Sequence, residues 1–166
     1  PRAFEQSSSE ESAQRKPLEG DACLDLTCGL GIDSMALARR FRRVVDIERD
    51  EALAEVVRYN MGLMGIDNVE VVSTSAEEYV DRCSETFDWV FVDPDRRSEQ
   101  GNKMVCMEDC SPNILGLMPR LRGISRRVAI KLSPMFDCAE AFRLLAPAEV
   151  EVVSIGGECK ELNIYT

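Results

Sequence analysis

One stretch of the sequence decides the fold class: Asp25-Leu26-Thr27-Cys28-Gly29-Leu30-Gly31-Ile32-Asp33. It lies between a short apolar run, Ala22 to Leu24, and a helix-like segment, Ser34 to Phe41. A strand, a glycine turn and a helix in this order predict a nucleotide-binding βα unit. Glycine lets the backbone bend sharply and lets a ligand approach, and the N-terminus of the following helix offers free N–H groups.

This turn differs from the dinucleotide-binding fingerprint Gly-x-Gly-x-x-Gly. Ser34 stands where the third glycine is expected, and Asp25 would place an anion beside a pyrophosphate. An acid at this position instead favours a cationic ligand, such as the amino group and sulfonium of S-adenosylmethionine. We therefore expect a site for that cofactor and disfavour a nicotinamide oxidoreductase. A tight turn without a ligand is the alternative.

Acidic residues also follow two further strand-like segments. Val44 to Ile47 predicts the second strand, and Glu48 at its carboxyl end is suited to accept hydrogen bonds from both ribose hydroxyls. We discount Asp46 because we expect it on the other face of that strand. Phe87 to Val92 predicts the fourth strand, and Asp93-Pro94 follows it, where open α/β sheets bind ligands. A solvated charge and a plain turn are the alternatives for these two acidic sites.

The remaining segments complete an alternating α/β pattern. The sequence predicts strands over residues 69–72, 128–132, 150–154 and 162–165, and helices over residues 50–64 and 77–83. We expect Ser111-Pro112 and Ser133-Pro134 to open two further helices, with serine as the N-cap. Gly156-Gly157 predicts a hairpin turn, so we expect an antiparallel last strand. The pattern predicts a doubly wound, Rossmann-like sheet of seven strands, the class I methyltransferase sheet.

Several motifs resemble one family, the bacterial class I S-adenosylmethionine-dependent methyltransferases that carry a THUMP-like domain. The matching stretches, between roughly Gly20 and Leu162, are Asp25-Leu26-Thr27 with Gly29 to Asp33, Glu48-Arg49-Asp50, Asp93-Pro94 with Arg96-Arg97, Glu108-Asp109-Cys110, Lys131-Leu132-Ser133-Pro134-Met135 and Gly156-Gly157-Glu158-Cys159-Lys160-Glu161-Leu162. The last two stretches are more specific than the glycine turn. The resemblance implies methyl transfer to RNA, with a THUMP-like RNA-binding module elsewhere in the full protein.

These observations assign roles to individual residues. We expect the cofactor-binding residues to be Asp25, Thr27, Gly29, Gly31, Asp33, Glu48, Ser75, Ala76 and Asp93, with Asp25 at the methionine amino end, Glu48 at the ribose, and Ser75 and Ala76 at the adenine. Asp93 is expected to orient the acceptor or accept its proton, and Lys131, at the end of the fifth strand, to assist. Arg96 and Arg97 are expected to bind a substrate phosphate or to pair with Glu108 or Asp109. No aromatic residue follows Asp93-Pro94 directly, which disfavours methylation of a base amine.

Composition limits the class of protein. The 166 residues carry a net charge of −10, from 30 acidic and 20 basic residues, which argues against tight RNA binding by this domain alone. We expect a polar lead-in over residues 1–19, flexible or weakly helical, and one methyltransferase domain over residues 20–166, as a fragment of a longer protein. The sequence contains neither a signal-peptide pattern nor an apolar run of the roughly 18 residues that a membrane span needs.

Seven cysteines and no histidine favour a reducing, cytoplasmic location over a disulfide scaffold. Cys106 and Cys110 give a weak metal signal, and we expect no metal site. Cys28 and Cys159 are candidate nucleophiles, although burial as small apolar residues is favoured. Without histidine, a general base must be a carboxylate, a lysine or a tyrosine. A catalytically silent cofactor-binding or RNA-scaffold module, and a methyltransferase acting on a small molecule or a protein, stay as alternatives.

Overall fold

The computed structural model of the chain describes residues 9–96, 107 and 110–166. The main sheet contains β1 (Gly20–Asp25), β2 (Phe41–Glu48), β3 (Val69–Ser73), β4 (Phe87–Val92), β7 (Ser125–Leu132), β8 (Glu149–Ile155) and β9 (Glu158–Tyr165). A two-stranded ladder pairs β5 (Asp95–Arg96) with β6 (Cys110–Ser111). The helices are α1 (Glu10–Arg15), α2 (Ile32–Ala38), α3 (Glu51–Leu63), α4 (Ala76–Arg82), α5 (Ile114–Ile124) and α6 (Cys138–Leu145).

The order of strands in the main sheet is β3-β2-β1-β4-β7-β9-β8. All neighbouring strands from β3 to β7 run parallel, and β9 runs antiparallel to both β7 and β8. The chain proceeds outward from β1 to β3 and then returns to β4 on the other side of β1. The point between β1 and β4 is therefore a topological switch point, where open α/β sheets bind ligands. The predicted seven-stranded α/β sheet with an antiparallel last strand is confirmed.

Helices cover both faces of the sheet. Helices α4, α5 and α6 pack on one face through Val80, Leu121 and Leu145, which join the largest cluster of buried apolar side chains. Helices α2 and α3 cover the other face through Leu37 and Val57, which belong to two smaller clusters. Because side chains alternate along a strand, each strand contributes alternate residues to the two layers.

Three predicted helix boundaries are wrong. Helix α2 ends at Ala38, and Phe41, which we predicted to be helical, begins β2 with its ring buried. Helix α6 begins at Cys138 rather than at Ser133-Pro134, because the Asp137 carboxylate caps it by accepting a hydrogen bond from the Ala139 N–H (2.8 Å). Asn113 likewise caps α5, and Ser111 belongs to β6 instead of that helix. In both cases a side chain nearer the helix takes the capping role that we assigned to serine.

The described part of the polar lead-in contains one short helix, α1, over residues 10–15. The Ser9 hydroxyl caps α1 by accepting a hydrogen bond from the Ser12 N–H (3.2 Å), and Ala13 is buried. The Arg40 guanidinium, just after α2, donates hydrogen bonds to the carbonyls of Gln14 and Lys16. These contacts tie α1 and the segment that follows it to the body of the domain.

No helix among the described residues is long and apolar enough to cross a membrane. The six cysteines in the described part of the chain all carry free thiols.

Candidate active site

The glycine turn between β1 and α2 lies at the switch point. Gly29 and Gly31 have φ angles of +55° and +79°, in the left-handed region that favours glycine. A Cβ at Gly31 would lie 3.1 Å from atoms of Val57 and Met61, so α3 packs against the backbone there. Among the described residues, a Cβ at Gly29 would meet a single neighbouring atom, at 4.0 Å, so this part of the turn borders open space. Gly31 thus fits the turn against α3, while Gly29 leaves room for a ligand.

Glu48 is held directly against this turn. Its two carboxylate oxygens accept hydrogen bonds from the Gly29 N–H (3.0 Å) and the Asp50 N–H (2.9 Å), and its side chain is buried. The Thr74 N–H donates to the Glu48 carbonyl (3.1 Å) and brings the loop after β3 alongside. In that loop Ser75 caps α4 by accepting a hydrogen bond from the Glu78 N–H (3.2 Å). The residues predicted to contact ribose and adenine therefore lie next to each other.

Asp25 lies beneath the glycine turn and is fully buried. Its carboxylate accepts hydrogen bonds from the Thr27 N–H (3.0 Å) and the Ser34 hydroxyl (3.3 Å). Thr27 in turn accepts a hydrogen bond at its hydroxyl from the Asp93 N–H (2.6 Å). Asp25 thus braces the turn from below, and Thr27 joins the turn to the end of β4. The predicted contact between Asp25 and the methionine amino group stays a prediction.

The expectation that Asp46 lies on the other face of β2 is wrong. Asp46 comes two residues before Glu48, so both point to the same face, and Asp46 pairs in register with Asp25 on β1. One oxygen of Asp46 accepts a hydrogen bond from the Cys28 thiol (3.4 Å), and the other has no hydrogen-bond partner among the described residues. Burial raises the pKa of Asp46 to about 7. Burial, followed by the neighbouring Asp46, also raises the pKa of Asp25.

A group of five charged side chains extends from the end of β4 under the turn, and we call it the ion network. Lys131 of β7 forms ion pairs with Asp93 and with Asp33 of α2, whose Oδ2 lies 3.4 Å from the ammonium. The second Asp33 oxygen lies 2.7 Å from the Lys16 ammonium, which is also 3.2 Å from Glu161 of β9. Asp93 is the most exposed member, with 31% of its side chain accessible, against 10% or less for the others.

The network sets the protonation of its two proposed catalytic members. Burial raises the pKa of Asp93 to about 6, although the Lys131 ammonium opposes that rise. Burial alone would lower the pKa of Lys131, but the carboxylates of Asp93 and Asp33 outweigh it and hold this pKa above its ordinary value. At neutral pH the pair therefore combines an ammonium with a carboxylate whose pKa lies close to the surrounding pH. Such a carboxylate is suited to accept and release a proton.

Two buried members of the network were not predicted from the sequence. Lys16 lies in the segment that we expected to be a polar lead-in, and Glu161 lies within a motif in which we gave it no role. Of the other residues named from the sequence, Arg96 belongs to β5, and Arg97, Cys106, Glu108 and Asp109 lie outside the described residues. In the part of the chain that the structure describes, no three His, Cys, Asp or Glu side chains are grouped to hold a metal.

Known proteins match both the sequence and the fold. An uncharacterized S-adenosylmethionine-dependent methyltransferase of Mycobacterium tuberculosis is 28% identical over 153 residues, which cover 90% of this chain and 39% of the relative. A tRNA/tmRNA (uracil-C(5))-methyltransferase of Photobacterium profundum is 33% identical over 122 residues, covering 58% of this chain and 33% of that protein. The chain thus spans about two fifths or less of the length of these curated relatives.

A solved structure shares the architecture closely. The crystal structure of a Porphyromonas gingivalis W83 protein, described as an inferred methyltransferase, matches with a TM-score of 0.88 and 31% sequence identity. The match covers 99% of this chain and 41% of that protein. A sequence family, described as Conserved hypothetical protein 95, matches residues 5–109. With relatives by sequence and by structure that are described as methyltransferases, and with a family match over more than half of its length, the chain belongs to the Conserved hypothetical protein 95 family.

Proposed function

We propose that this domain binds S-adenosylmethionine and transfers its methyl group to RNA. The observation that carries the proposal is the meeting of the glycine turn, Glu48 and the Asp93–Lys131 pair at the carboxyl ends of neighbouring strands. Open α/β sheets bind nucleoside cofactors at this position. The names of the relatives support both parts of the proposal, since one specifies S-adenosylmethionine and the other a transfer RNA substrate.

The residues of the turn fit a nucleoside cofactor. The open space beside Gly29 would admit a ligand close to the backbone. The Glu48 carboxylate is fixed by two backbone N–H groups, and each of its oxygens keeps a second lone pair that can accept a hydrogen bond from a ribose hydroxyl. The loop containing Ser75 and Ala76 would contact the adenine. We assign Asp25 a supporting role, because its buried carboxylate already holds the Thr27 N–H and the Ser34 hydroxyl.

When bound, the cofactor supplies an electrophilic methyl group on its sulfonium. The domain then has to hold an acceptor atom in line with that methyl, and such orientation supplies much of the rate enhancement. Asp93 is the partly exposed carboxylate at the site, and its raised pKa suits it to take a proton from the acceptor. Lys131 keeps this carboxylate in place and balances its charge.

The transfer is proposed to be direct, without a covalent intermediate on Cys28. A cysteine nucleophile must be a thiolate that can reach the substrate. The Cys28 side chain is buried beneath the turn and donates a hydrogen bond to Asp46. Burial, followed by the charge of Asp46, raises the pKa of this thiol above its ordinary value. Cys28 is therefore a packing residue, and Asp93 is the proposed proton acceptor.

Two measurements test the proposal. Calorimetric titration of the purified chain with S-adenosylhomocysteine is expected to show micromolar binding, with NAD as the control ligand that does not bind. Tritium transfer from labelled S-adenosylmethionine to unfractionated cellular RNA is then expected, with bulk protein and small metabolites as competing acceptors. Binding without transfer to any acceptor would favour the catalytically silent module. Binding of NAD alone would overturn the methyltransferase proposal.

A further inference from the structure

We propose that Lys16 and Glu161 are positioning residues of the active site, which act through Asp33 on the Asp93–Lys131 pair. The segment before β1 and the last strand would then belong to the active site, although the Lys16 and Glu161 side chains are both buried. This inference rests on the proposed function, because it takes Asp93 as the catalytic carboxylate. It adds two residues to the site that sequence reasoning left unassigned.

The position of Lys16 is the first argument. Only 3% of its side chain is accessible, and its ammonium lies 2.7 Å from Asp33, 3.2 Å from Glu161 and 5.5 Å from the centre of the Phe91 ring. A buried ammonium is costly unless it is paired, so these contacts fix where the charge lies. The Arg40 guanidinium holds the backbone of the same residue by donating a hydrogen bond to the Lys16 carbonyl. Lys16 is thus fixed at both its backbone and its charged end.

Asp33 transmits this position to the proposed catalytic pair. It lies in the first turn of α2, directly after the glycine turn, and each of its oxygens contacts a different lysine. Lys131 lies between two carboxylates, those of Asp33 and Asp93. The hold of Lys16 on Asp33 therefore influences how closely the Lys131 ammonium stays with Asp93.

Glu161 anchors the network from β9, on the same face of the sheet as Lys131. Its carboxylate accepts a hydrogen bond from the Asn163 amide (3.2 Å), which also donates to Glu151 of β8 (3.2 Å). The Tyr165 hydroxyl donates to the same Glu151 carboxylate (2.7 Å). A continuous set of polar contacts therefore extends from β8 through β9 to Lys16. Glu161 is held by the sheet and in turn holds the Lys16 ammonium.

The charges in the network predict effects of opposite sign. Among the described residues, the charged groups that face Asp93 are Asp25 of β1, Lys16, Asp33 of α2, Lys131 of β7 and, through Lys131, Glu161 of β9. Lys16 favours the ionised form of Asp93, whereas Asp33 opposes it. Loss of the Lys16 charge should therefore raise the pKa of Asp93, and loss of the Asp33 charge should lower it. A role in packing alone would not produce shifts of opposite direction.

The decisive experiment is a ¹³C NMR titration of the aspartate side-chain carboxyls in the purified chain, with the Asp93 signal identified by its loss in Asp93→Asn. Lys16→Met is expected to raise the pKa of Asp93 by about half a pH unit, and Asp33→Asn to lower it by a similar amount. Glu161→Gln should lower it less. Lys160→Met is the matched control, because it removes a lysine charge from an exposed pair next to Glu161, and should leave the titration unchanged.

Shifts of the Asp93 pKa in the expected opposite directions support the inference. An Asp93 pKa equal to that of wild type in folded Lys16→Met and Asp33→Asn overturns it. Should Lys16→Met not fold, Asp33→Asn and Glu161→Gln decide, since unchanged Asp93 titration in both overturns the inference. The titration needs neither cofactor nor acceptor. Expected shifts without S-adenosylhomocysteine binding would therefore reject the proposed function alone. With RNA as substrate, the acid limb of the kcat profile should move to higher pH in Lys16→Met, while Lys16→Arg should retain the wild-type limb.

Discussion

The two faces of the main sheet bury different kinds of side chain, although the same strands contribute to both. The face covered by α4, α5 and α6, which we call the apolar face, contributes aliphatic side chains such as Leu24, Val90 and Ile130 to one large cluster. The opposite face, which we call the polar face, carries the buried charged side chains that the described strands contribute: Asp25, Asp46, Glu48, Lys131 and Glu161. The alternation is visible within a single strand, since Ile130 and Lys131 are neighbours in β7.

The apolar face mainly stabilises the fold, whereas the polar face carries the charged side chains of the proposed site. Burial of apolar area is the main favourable term in folding, and the apolar face supplies most of it. Buried charges add little stability even when they are paired, because each ion loses its hydration. A sheet that places such charges on one face, towards the edge where its parallel strands end, follows the pattern of a functional site built at a cost in stability. Variants on the two faces should therefore fail in different ways.

The largest expected effect is on activity, at the polar face. Asp93→Asn should lower kcat about 10²- to 10⁴-fold, because the amide cannot accept the acceptor's proton. Binding of S-adenosylhomocysteine should change little, since the glycine turn and Glu48 are intact. Single-turnover methyl transfer and calorimetry measure the two quantities separately. Asp81→Asn is the control, because Asp81 of α4 forms an exposed ion pair with Arg120 of α5. Retained activity in Asp93→Asn would contradict the role proposed for Asp93.

The apolar face should respond in stability. Ile130→Ala removes a fully buried side chain from the large cluster and should lower the free energy of unfolding by about 2–5 kcal/mol. Denaturant unfolding measures this loss, and the folded variant should still bind S-adenosylhomocysteine. Phe142→Ala is the control, because that ring is 54% exposed on α6 and its loss should change stability by about 0.5 kcal/mol or less. Equal losses in the two variants would contradict the division between the faces.

The sequence predicted the apolar face more completely than the polar one. Runs such as Phe87 to Val92 identify strands locally, and the element order then determines the sheet. Glu48 and Asp93 were found because each follows a strand directly, where the fold class places ligands. Lys16 and Glu161 carry no such local signal, since they meet only after the ends of the chain pack together. Side-chain contacts between distant segments are the part that sequence patterns do not contain.

The buried Asp46 allows a test of the cost of the polar face. Because burial raises its native pKa to about 7, the folded state keeps a proton that the unfolded state releases near its ordinary value of about 4. The stability that this carboxyl contributes is therefore fully present below about pH 4 and is lost as the pH rises through 7. The free energy of unfolding of Asp46→Asn should depend less on pH than that of wild type. Between pH 5 and pH 8 it should increase by about 1–3 kcal/mol relative to the wild-type value.

Denaturant midpoints at pH 5 and pH 8 measure this difference. The comparison uses Asp88→Asn, whose carboxylate accepts hydrogen bonds from the Asp21 and Ala22 N–H groups. Those bonds lower the pKa of Asp88, so its contribution is fully present above its unfolded-state pKa of about 4 and is lost only on further acidification. Asp88→Asn should therefore keep the wild-type pH dependence between pH 5 and pH 8. A pH dependence of Asp46→Asn equal to that of wild type would show that the Asp46 carboxyl does not titrate in this range.

The smallest expected effect on stability comes from a comparison of two turns with similar backbone conformation, the glycine turn and the hairpin turn between β8 and β9. Gly29 and Gly156 have φ angles of +55° and +61°, and a Cβ at either position meets little or nothing among the described residues. Alanine at each should therefore cost a similar amount of stability, about 1–2 kcal/mol, from backbone conformation alone.

Only Gly29→Ala should weaken binding of S-adenosylhomocysteine, because the added methyl group would lie in the open space where the proposed cofactor approaches. Gly156 lies in the hairpin turn between β8 and β9, outside the glycine turn, so Gly156→Ala should bind like wild type. Thermal unfolding and calorimetry on the two variants make the comparison. Similar losses of stability with a loss of affinity at Gly29 alone would assign the open space to the ligand. Equal affinities would place the cofactor away from Gly29, and the proposed site would have to move.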